Sequence, residues 1–272
     1  MAEPTLFLTG ASTGLGNAAA RLFASRGWRV IATMRKPGDA GDLAQLPGVT
    51  VMALDVTDPA QITDVAARAI ALGPIDVVFN NAGYGLAGPL EGTSDAELVR
   101  QVNTNLLGVI RTTQAFIPHF RERRAGTFIT TTSIGGLVAF PFNSTYHATK
   151  WALEGWSESL AFELSRFGIR MKTVAPGGIS TDFAGRSLSL AAHPAYETHA
   201  ARALGVFRDP ARQAGYSTAE QVAEVVYQAA SDGTDQLRYV AGNDAQAAYA
   251  QRQAAGFEAF HKAIEAQFFG PG

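Results

Sequence analysis

Thr5-Leu6-Phe7-Leu8-Thr9-Gly10-Ala11-Ser12-Thr13-Gly14-Leu15-Gly16 is the stretch on which the fold turns. An apolar, β-branched run passes without a break into a glycine-rich turn, and Gly14–Ser25 then continues at helical spacing. Near-continuous apolar runs of this length suit parallel strands covered on both faces. The glycines allow a tight turn and let a diphosphate approach the backbone, where its charge meets the free N–H groups of a helix N-terminus. Gly10, Ser12, Thr13, Gly14, Leu15 and Gly16 are therefore the candidate cradle. Their spacing is G-x-x-x-G-x-G rather than the general G-x-G-x-x-G fingerprint.

Outward from this turn the pattern repeats. Apolar runs recur at Arg29–Thr33, Val49–Leu54, Ile75–Phe79, Thr127–Thr132, Ile169–Val174 and Arg238–Val240. Helix-length segments lie between them, among them Pro59–Leu72, Ser94–Arg123 and Tyr146–Arg166. Such alternation predicts an α/β fold: a three-layer, doubly wound parallel sheet of about seven strands with helices on both faces. No internal repeat or low-complexity linker divides the chain, so residues 1–272 are read as one domain. The stretch 182–215 lacks clean periodicity and is read as a mobile insertion.

Composition narrows the function classes. With 47% hydrophobic and 17% charged residues, the 272-residue chain can bury one large core. A net charge of −2 offers no basic field for nucleic acid or an anionic membrane surface. Arg123-Arg124 sits at an expected helix end, where cations are favoured anyway. The absence of cysteine excludes disulfides and thiolate catalysis and suits a reducing compartment. No apolar run approaches the roughly 18 residues of a membrane span. A strand beginning by Thr5 leaves no room for a signal peptide, so a cytoplasmic location is expected. No His/Asp/Glu cluster has metal-ligand spacing, so no metal is expected.

Chemistry-bearing residues fall at the ends of these strands, where open parallel sheets collect ligands. Asp55-Val56 follows the third run, Asn80-Asn81-Ala82-Gly83 the fourth, Ser133 the fifth, and Pro176-Gly177-Gly178-Ile179-Ser180-Thr181 the sixth. Tyr146 and Lys150 stand four apart, which on a helix places both on one face, one turn apart. Ser133 lies 13 residues before Tyr146, and Asn105 lies 28 before Ser133. His147, Trp151 and Trp156 are read as packing residues, because one helical step turns His147 well away from Tyr146.

In T-G-x-x-x-G-x-G, D-V, N-N-A-G, the Asn–Ser–Tyr–Lys set and P-G-x-x-x-T, the chain resembles the short-chain dehydrogenase/reductase family. The likeness is strong over 5–182 and looser over 216–246. Leu137, Pro141-Phe142-Asn143 and Ala152-Leu153-Glu154-Gly155 most resemble its 17β-hydroxysteroid and retinol dehydrogenase branch and bacterial relatives. The resemblance implies a Rossmann fold, a nicotinamide cofactor and a homodimer or homotetramer paired through the segments 94–123 and 146–166. It implies that Asp55 and Val56 meet the adenine, and that the Asn81, Ala82 and Gly83 backbone lines the ribose. The Pro176, Gly177 and Ile179 segment and Thr181 would meet the nicotinamide end. It further implies that Lys150 bonds the nicotinamide ribose, and that Asn105 holds a water linking Lys150 to solvent. In this family the insertion after the sixth strand sets ligand choice, and 183–215 carries no motif that names the substrate.

The cofactor's identity is read from the second strand's end. NAD sites place an acidic side chain roughly 20 residues past the glycines. Here Ala32-Thr33-Met34-Arg35-Lys36 has no carboxylate, and Arg35 stands 19 positions after Gly16. A guanidinium suits a 2′-phosphate, so NADP(H) is favoured over NAD. One departure is Thr13, where many NADP-preferring relatives carry a second basic residue.

The residue types fit carbonyl chemistry. Ketone or aldehyde reduction needs a hydride at carbon and a proton at oxygen, hence a general acid within hydrogen-bond reach of that oxygen. A free phenol ionises near about pH 10, so exchange near neutrality asks for a fall of roughly two to three pH units, about 3–4 kcal/mol. The Lys150 ammonium and a cationic nicotinamide can supply it. Ser133 would donate to the same oxygen from a preorganised strand end. Tyr84, Phe140, Phe142 and Phe183 could wall an apolar substrate pocket. A dinucleotide-sensing regulator has no use for Asn105, Ser133, Tyr146 and Lys150 together. Nucleotide-sugar epimerases share Y-x-x-x-K but need a larger C-terminal substrate domain.

Overall fold

Strand β1 (Thr5–Thr9) is buried along its whole length and lies mid-sheet, with parallel neighbours on both sides. The computed structural model describes residues 3–180 and 188–270. After β1 come α1 (Gly14–Ser25), β2 (Arg29–Met34), β3 (Val49–Ala53), α2 (Pro59–Ala71), β4 (Val77–Asn80) and a short β5 (Gly85–Ala87). Helix α3 (Asp95–Val102) runs through a π-turn (Asn103–Leu107) into α4 (Gly108–Arg123), then β6 (Gly126–Thr131), α5 (Ser144–Leu164) and β7 (Ile169–Pro176). The chain continues with β8 (Leu188–Leu190), α6 (Glu197–Arg208), single-turn α7 (Pro210–Gln213), α8 (Ala219–Ser231), β9 (Arg238–Ala241), α9 (Asn243–Ala255) and α10 (Phe257–Phe269).

Seven strands form one parallel sheet in the order β3-β2-β1-β4-β6-β7-β9. The order reverses between β1 and β4, and crevices at such switch points are where open α/β sheets bind ligands. Alternate residues of β1 feed two cores. Leu6 and Leu8 join the face under α1 and α8, with Phe23, Val222 and Val226. Phe7 joins the opposite face under α2, α4 and α5, where it meets the Phe116 ring at 4.6 Å. A third cluster, Ile134, Val138, Ala175, Ala245 and Phe260, packs α9 and α10 against the segment after β6.

The doubly wound parallel sheet matches the sequence reading, with most element bounds shifted by a residue or two. The long Ser94–Arg123 segment is helical throughout, starting with a capping box (Ser94, Glu97) and carrying the π-turn within it, a detail that apolar spacing did not show. The 182–215 segment, read without clean periodicity, carries regular elements from Leu188 onward. β8 pairs with β5, and α6 buries Ala203 and sets Phe207 against Phe268 with ring centroids 5.1 Å apart. Its apolar face is only a few residues wide, too short to register as a period.

Phe116 is fully buried between α4 and the sheet. Phe116→Ala should cost about 3–5 kcal/mol. Urea denaturation should show a lower midpoint with the slope unchanged.

Candidate active site

The carboxyl ends of β1, β4 and β6 are tied by side chains before any ligand is considered. The Thr9 hydroxyl accepts from the Asn81 and Ala82 N–H groups, both at 3.0 Å. Asn81 Nδ2 lies 3.2 Å from the carbonyls of Thr9 and Gly10, and its Oδ1 accepts from Thr131 Oγ1 at 3.1 Å. Asn81 thus contributes its side chain to the scaffold, while only its backbone is expected at the ribose.

The cradle forms as the glycines require. Gly10 has φ 74° and Gly14 φ 54°, in the left-handed region that favours glycine. A Cβ on Gly16 would run into the Gly10 carbonyl. Thr13 precedes α1 without a side-chain cap, so its side chain leaves the N–H groups of the first turn free to meet a ligand. A cleft of about 550 Å³ opens there, lined by Ser12, Thr13, Gly14 and Asn17. Glycines without Cβ atoms, uncapped N–H groups and this cleft fit a dinucleotide diphosphate. Leu15 is buried beneath it.

The end of the cleft beside β2 is more acidic than the sequence reading allowed. Arg35 is exposed just past β2, and the cleft's lining instead includes Asp39, Asp42 and Arg21. Arg21 pairs with Asp42 and holds its carboxyl below the usual range. Asp55 Oδ1 accepts from the Thr57 N–H at 2.9 Å and the Thr57 hydroxyl at 2.7 Å, shaping the turn that buries Val56.

Helix α5 carries Tyr146 and Lys150 to the end of β6. Lys150 is buried, and its Nζ donates to the Thr131 carbonyl at 2.8 Å, 5.8 Å from the Tyr146 ring centroid. Burial lowers the Lys150 pKa to about 8, against the opposing pull of Glu154. Burial raises the Tyr146 phenol above its ordinary value, and the Ser133 hydroxyl beside it pulls the other way. The lowered phenol expected from the sequence is therefore not a property of the polypeptide alone; desolvation outweighs the other influences on it. Ser133 Oγ also accepts from the Gly135 N–H at 3.0 Å, which fixes the hydroxyl at the strand end.

Asn105 sits buried in the π-turn. Its Oδ1 accepts from the Tyr84 N–H at 3.0 Å, and its Nδ2 donates to the Tyr84 carbonyl at 2.8 Å. The side chain holds the loop after Asn81-Ala82-Gly83 beside α5. His147 packs edge-on to Phe140 at 6.0 Å, and burial lowers its pKa to about 4, so it is neutral.

In the segment after β7, which the sequence reading assigned to the nicotinamide, Gly178 N–H donates to Asp244 Oδ2 at 2.8 Å, and Ile179 bridges to Ser217. A Cβ on Gly177 would strike the Asp244 carboxylate. Pro176 closes β7 and is buried. Thr181 and Phe183 lie outside the described residues.

The family model described as short chain dehydrogenase matches residues 4–189. This chain belongs to the short-chain dehydrogenase family. The family member "Oxidoreductase BOA17" of Botryotinia fuckeliana is 35% identical over 88% of this chain and 89% of its own. Retinol dehydrogenase 8 of Bos taurus is 36% identical over 76% of this chain and 69% of its own. A short-chain dehydrogenase structure from Streptomyces avermitilis shares 31% identity at TM-score 0.85, covering 93% of this chain and 94% of that one. The structure titled "ElxO with NADP Bound" shares 25% identity at TM-score 0.74, covering 88% and 98%. The chain is an oxidoreductase of this family, in its retinol dehydrogenase-like branch.

Within this short-chain dehydrogenase, sequence reasoning missed Asp244, Asp39 and Glu154. Asp244 lies far along the chain from the loop it holds. Asp39 lies beyond the strand end where an acidic partner for the ribose is expected. Glu154 was legible as a carboxylate one turn past Lys150 on the same helix face.

Gly16→Ala should weaken dinucleotide binding on the order of 100-fold, about 3 kcal/mol. Fluorescence titration with NADPH would measure it.

Proposed function

We propose that this protein interconverts a ketone or aldehyde with the corresponding alcohol, using NADP(H), with Tyr146 as general acid and base. The observation that carries the reading is the convergence of Ser133, Tyr146 and Lys150 beside the glycine cradle, with the buried Lys150 ammonium anchored on Thr131. When bound, the cofactor supplies the hydride in reduction and accepts it in oxidation. Tyr146 gives its proton to the carbonyl oxygen in reduction and takes it back in oxidation. Ser133 donates to the same oxygen and stabilises the charge that develops there. Lys150, as the ammonium, favours the phenolate once the proton has left. Asn105 holds the loop that borders this group.

Arg35 would hold the 2′-phosphate, and Gly10 to Gly16 the diphosphate. Asp55, Val56, Asn81, Ala82 and Gly83 would face the adenosine; Pro176, Gly177, Ile179 and Thr181 would face the nicotinamide. The substrate is a fairly apolar carbonyl compound. Phe142 lies near Tyr196 and Phe269, each at 6.4 Å, which offers an aromatic wall beside α5. Phe140 belongs with the third core cluster instead. The relative named retinol dehydrogenase supports an apolar substrate. Pairing of α4 and α5 between copies would make a homodimer or homotetramer, with Trp151 and Phe162 of α5 exposed for it. Among the described residues no helix is long and apolar enough to cross a membrane, and we place the reaction in the cytoplasm.

A second reading, NAD as cofactor, is favoured by Asp39 in the cleft lining, which could accept from a ribose 2′-hydroxyl. NADPH and NADH consumption with steroid, aryl and retinoid ketones and aldehydes separates the two. The wild type should prefer NADPH. Arg35→Asp should shift the ratio of kcat/KM values toward NADH by on the order of 10- to 150-fold, the loss of a charge-assisted bond of roughly 1.5–3 kcal/mol. A wild type that prefers NADH overturns the NADP assignment.

A further inference from the structure

One turn past Lys150 on α5 lies a buried carboxylate that the proposed chemistry does not use. Glu154 is 5% exposed and follows Tyr146 and Lys150 along one face of α5. Its Oε1 accepts from Thr132 Oγ1 at 2.5 Å; its Oε2 accepts from Arg238 Nε at 2.8 Å and Thr173 Oγ1 at 3.3 Å. Thr132 lies between Thr131, which holds Lys150, and Ser133. Thr173 and Arg238 are register partners on β7 and β9. One carboxylate therefore joins α5 to the end of β6, the middle of β7 and the start of β9. Gly136 allows the close approach: a Cβ there would lie 2.8 Å from the Lys150 carbonyl oxygen and 3.2 Å from Glu154 Cγ.

A buried ion pair is a poor source of stability, since apolar side chains of similar volume often do as well or better. The pair's location gives it another role. We infer that Glu154, balanced by Arg238, is a positioning residue that holds Ser133 and the Tyr146–Lys150 helix in register and sets the charge state of the acid–base pair. The inference rests on Tyr146 and Lys150 being that pair.

The surrounding charges define the sign. Arg238 reaches Glu154 from β9, and on its outer side lies 3.8 Å from the exposed Glu158. The Tyr249 phenol of α9 also acts on Arg238. His147 is neutral, and Asn105 and Ser133 carry no charge. Arg100 of α3 stacks over Tyr84, with its guanidinium 4.8 Å from the ring centroid. Lys172 of β7 is paired with Asp232 at 2.6 Å, and Tyr239 donates to the same carboxylate. Glu154 favours the Lys150 ammonium against its burial. Removing this negative charge lowers the Lys150 pKa further, so that its ammonium is lost at lower pH. Removing the Arg238 charge raises it.

The test compares the pH dependence of ketone reduction by NADPH, as kcat/KM, in Glu154→Gln and Arg238→Gln. Reduction draws on the Lys150 ammonium and so falls as pH rises through its ionisation. Glu154→Gln should move that fall to lower pH by about one unit, and Arg238→Gln to higher pH by about half a unit. A merely structural pair would reduce activity in both variants without opposed displacements. Unmoved profiles, or shifts of one sign, overturn the inference. If Glu154→Gln does not fold, the upward shift of Arg238→Gln alone decides it. Tyr146→Phe in the otherwise unaltered protein keeps the two levels apart: full activity there refutes the acid–base reading itself and this inference with it.

Discussion

The Lys150 ammonium reaches out of α5 to the last carbonyl of β6, 2.8 Å away at Thr131. That bond joins the helix bearing the phenol to the strand that delivers Ser133, and the site depends on it. An ammonium held on a main-chain carbonyl and withdrawn from water has little freedom to swing away. Its burial brings its pKa down to about 8, close enough to neutrality for the group to respond to its neighbours. The side chains tying β1, β4 and β6 work to the same end. Thr9, Asn81 and Thr131 turn three strand ends into one rigid edge, and both the glycine turn and the Ser133–Tyr146–Lys150 group are mounted on it.

The phenol makes the division of labour plain. In the polypeptide alone burial raises the Tyr146 pKa, although Ser133 opposes that. A dry site strengthens electrostatic interactions and penalises an unbalanced ion equally. The phenol is thus kept protonated, as the proposed role of acid in reduction requires. The Lys150 ammonium would favour release of the proton, and an oxidised nicotinamide would add a second positive charge. The acidic lining near Arg21, Asp39 and Asp42 has the opposite character, and cofactor choice there rests on whether Arg35 or Asp39 meets the adenosine ribose.

Much of this architecture is legible in the amino-acid sequence itself. Unbroken apolar runs mark strands covered on both faces, so β1, β2 and β7 could be bounded closely. The Tyr146–Lys150 spacing and the glycines at 10, 14 and 16 are local, and local spacing survives translation into geometry. What escaped depends on contacts between distant segments. Asn105's grip on Tyr84 spans 21 residues, Asp244's hold on Gly178 spans 66, and Arg238's on Glu154 spans 84. The π-turn escaped because one turn of altered hydrogen bonding is too short to stand out in the spacing of Ser94–Arg123, and α6 because its buried face is too small to show a period.

The central claim is that Tyr146 is the proton donor in a nicotinamide-dependent carbonyl reduction. Tyr146→Phe removes one hydroxyl and leaves the ring, so it tests that claim with little disturbance of packing. Steady-state reduction of an apolar ketone by NADPH, beside NADPH binding measured by fluorescence, is the direct measurement. The account predicts kcat lower by at least about 100-fold, within the usual range for general acid–base catalysis, with cofactor affinity near that of the wild type. A variant that keeps most of its ketone-reducing activity would contradict the mechanism and the assignment of Asn105, Ser133, Tyr146 and Lys150 as its working group.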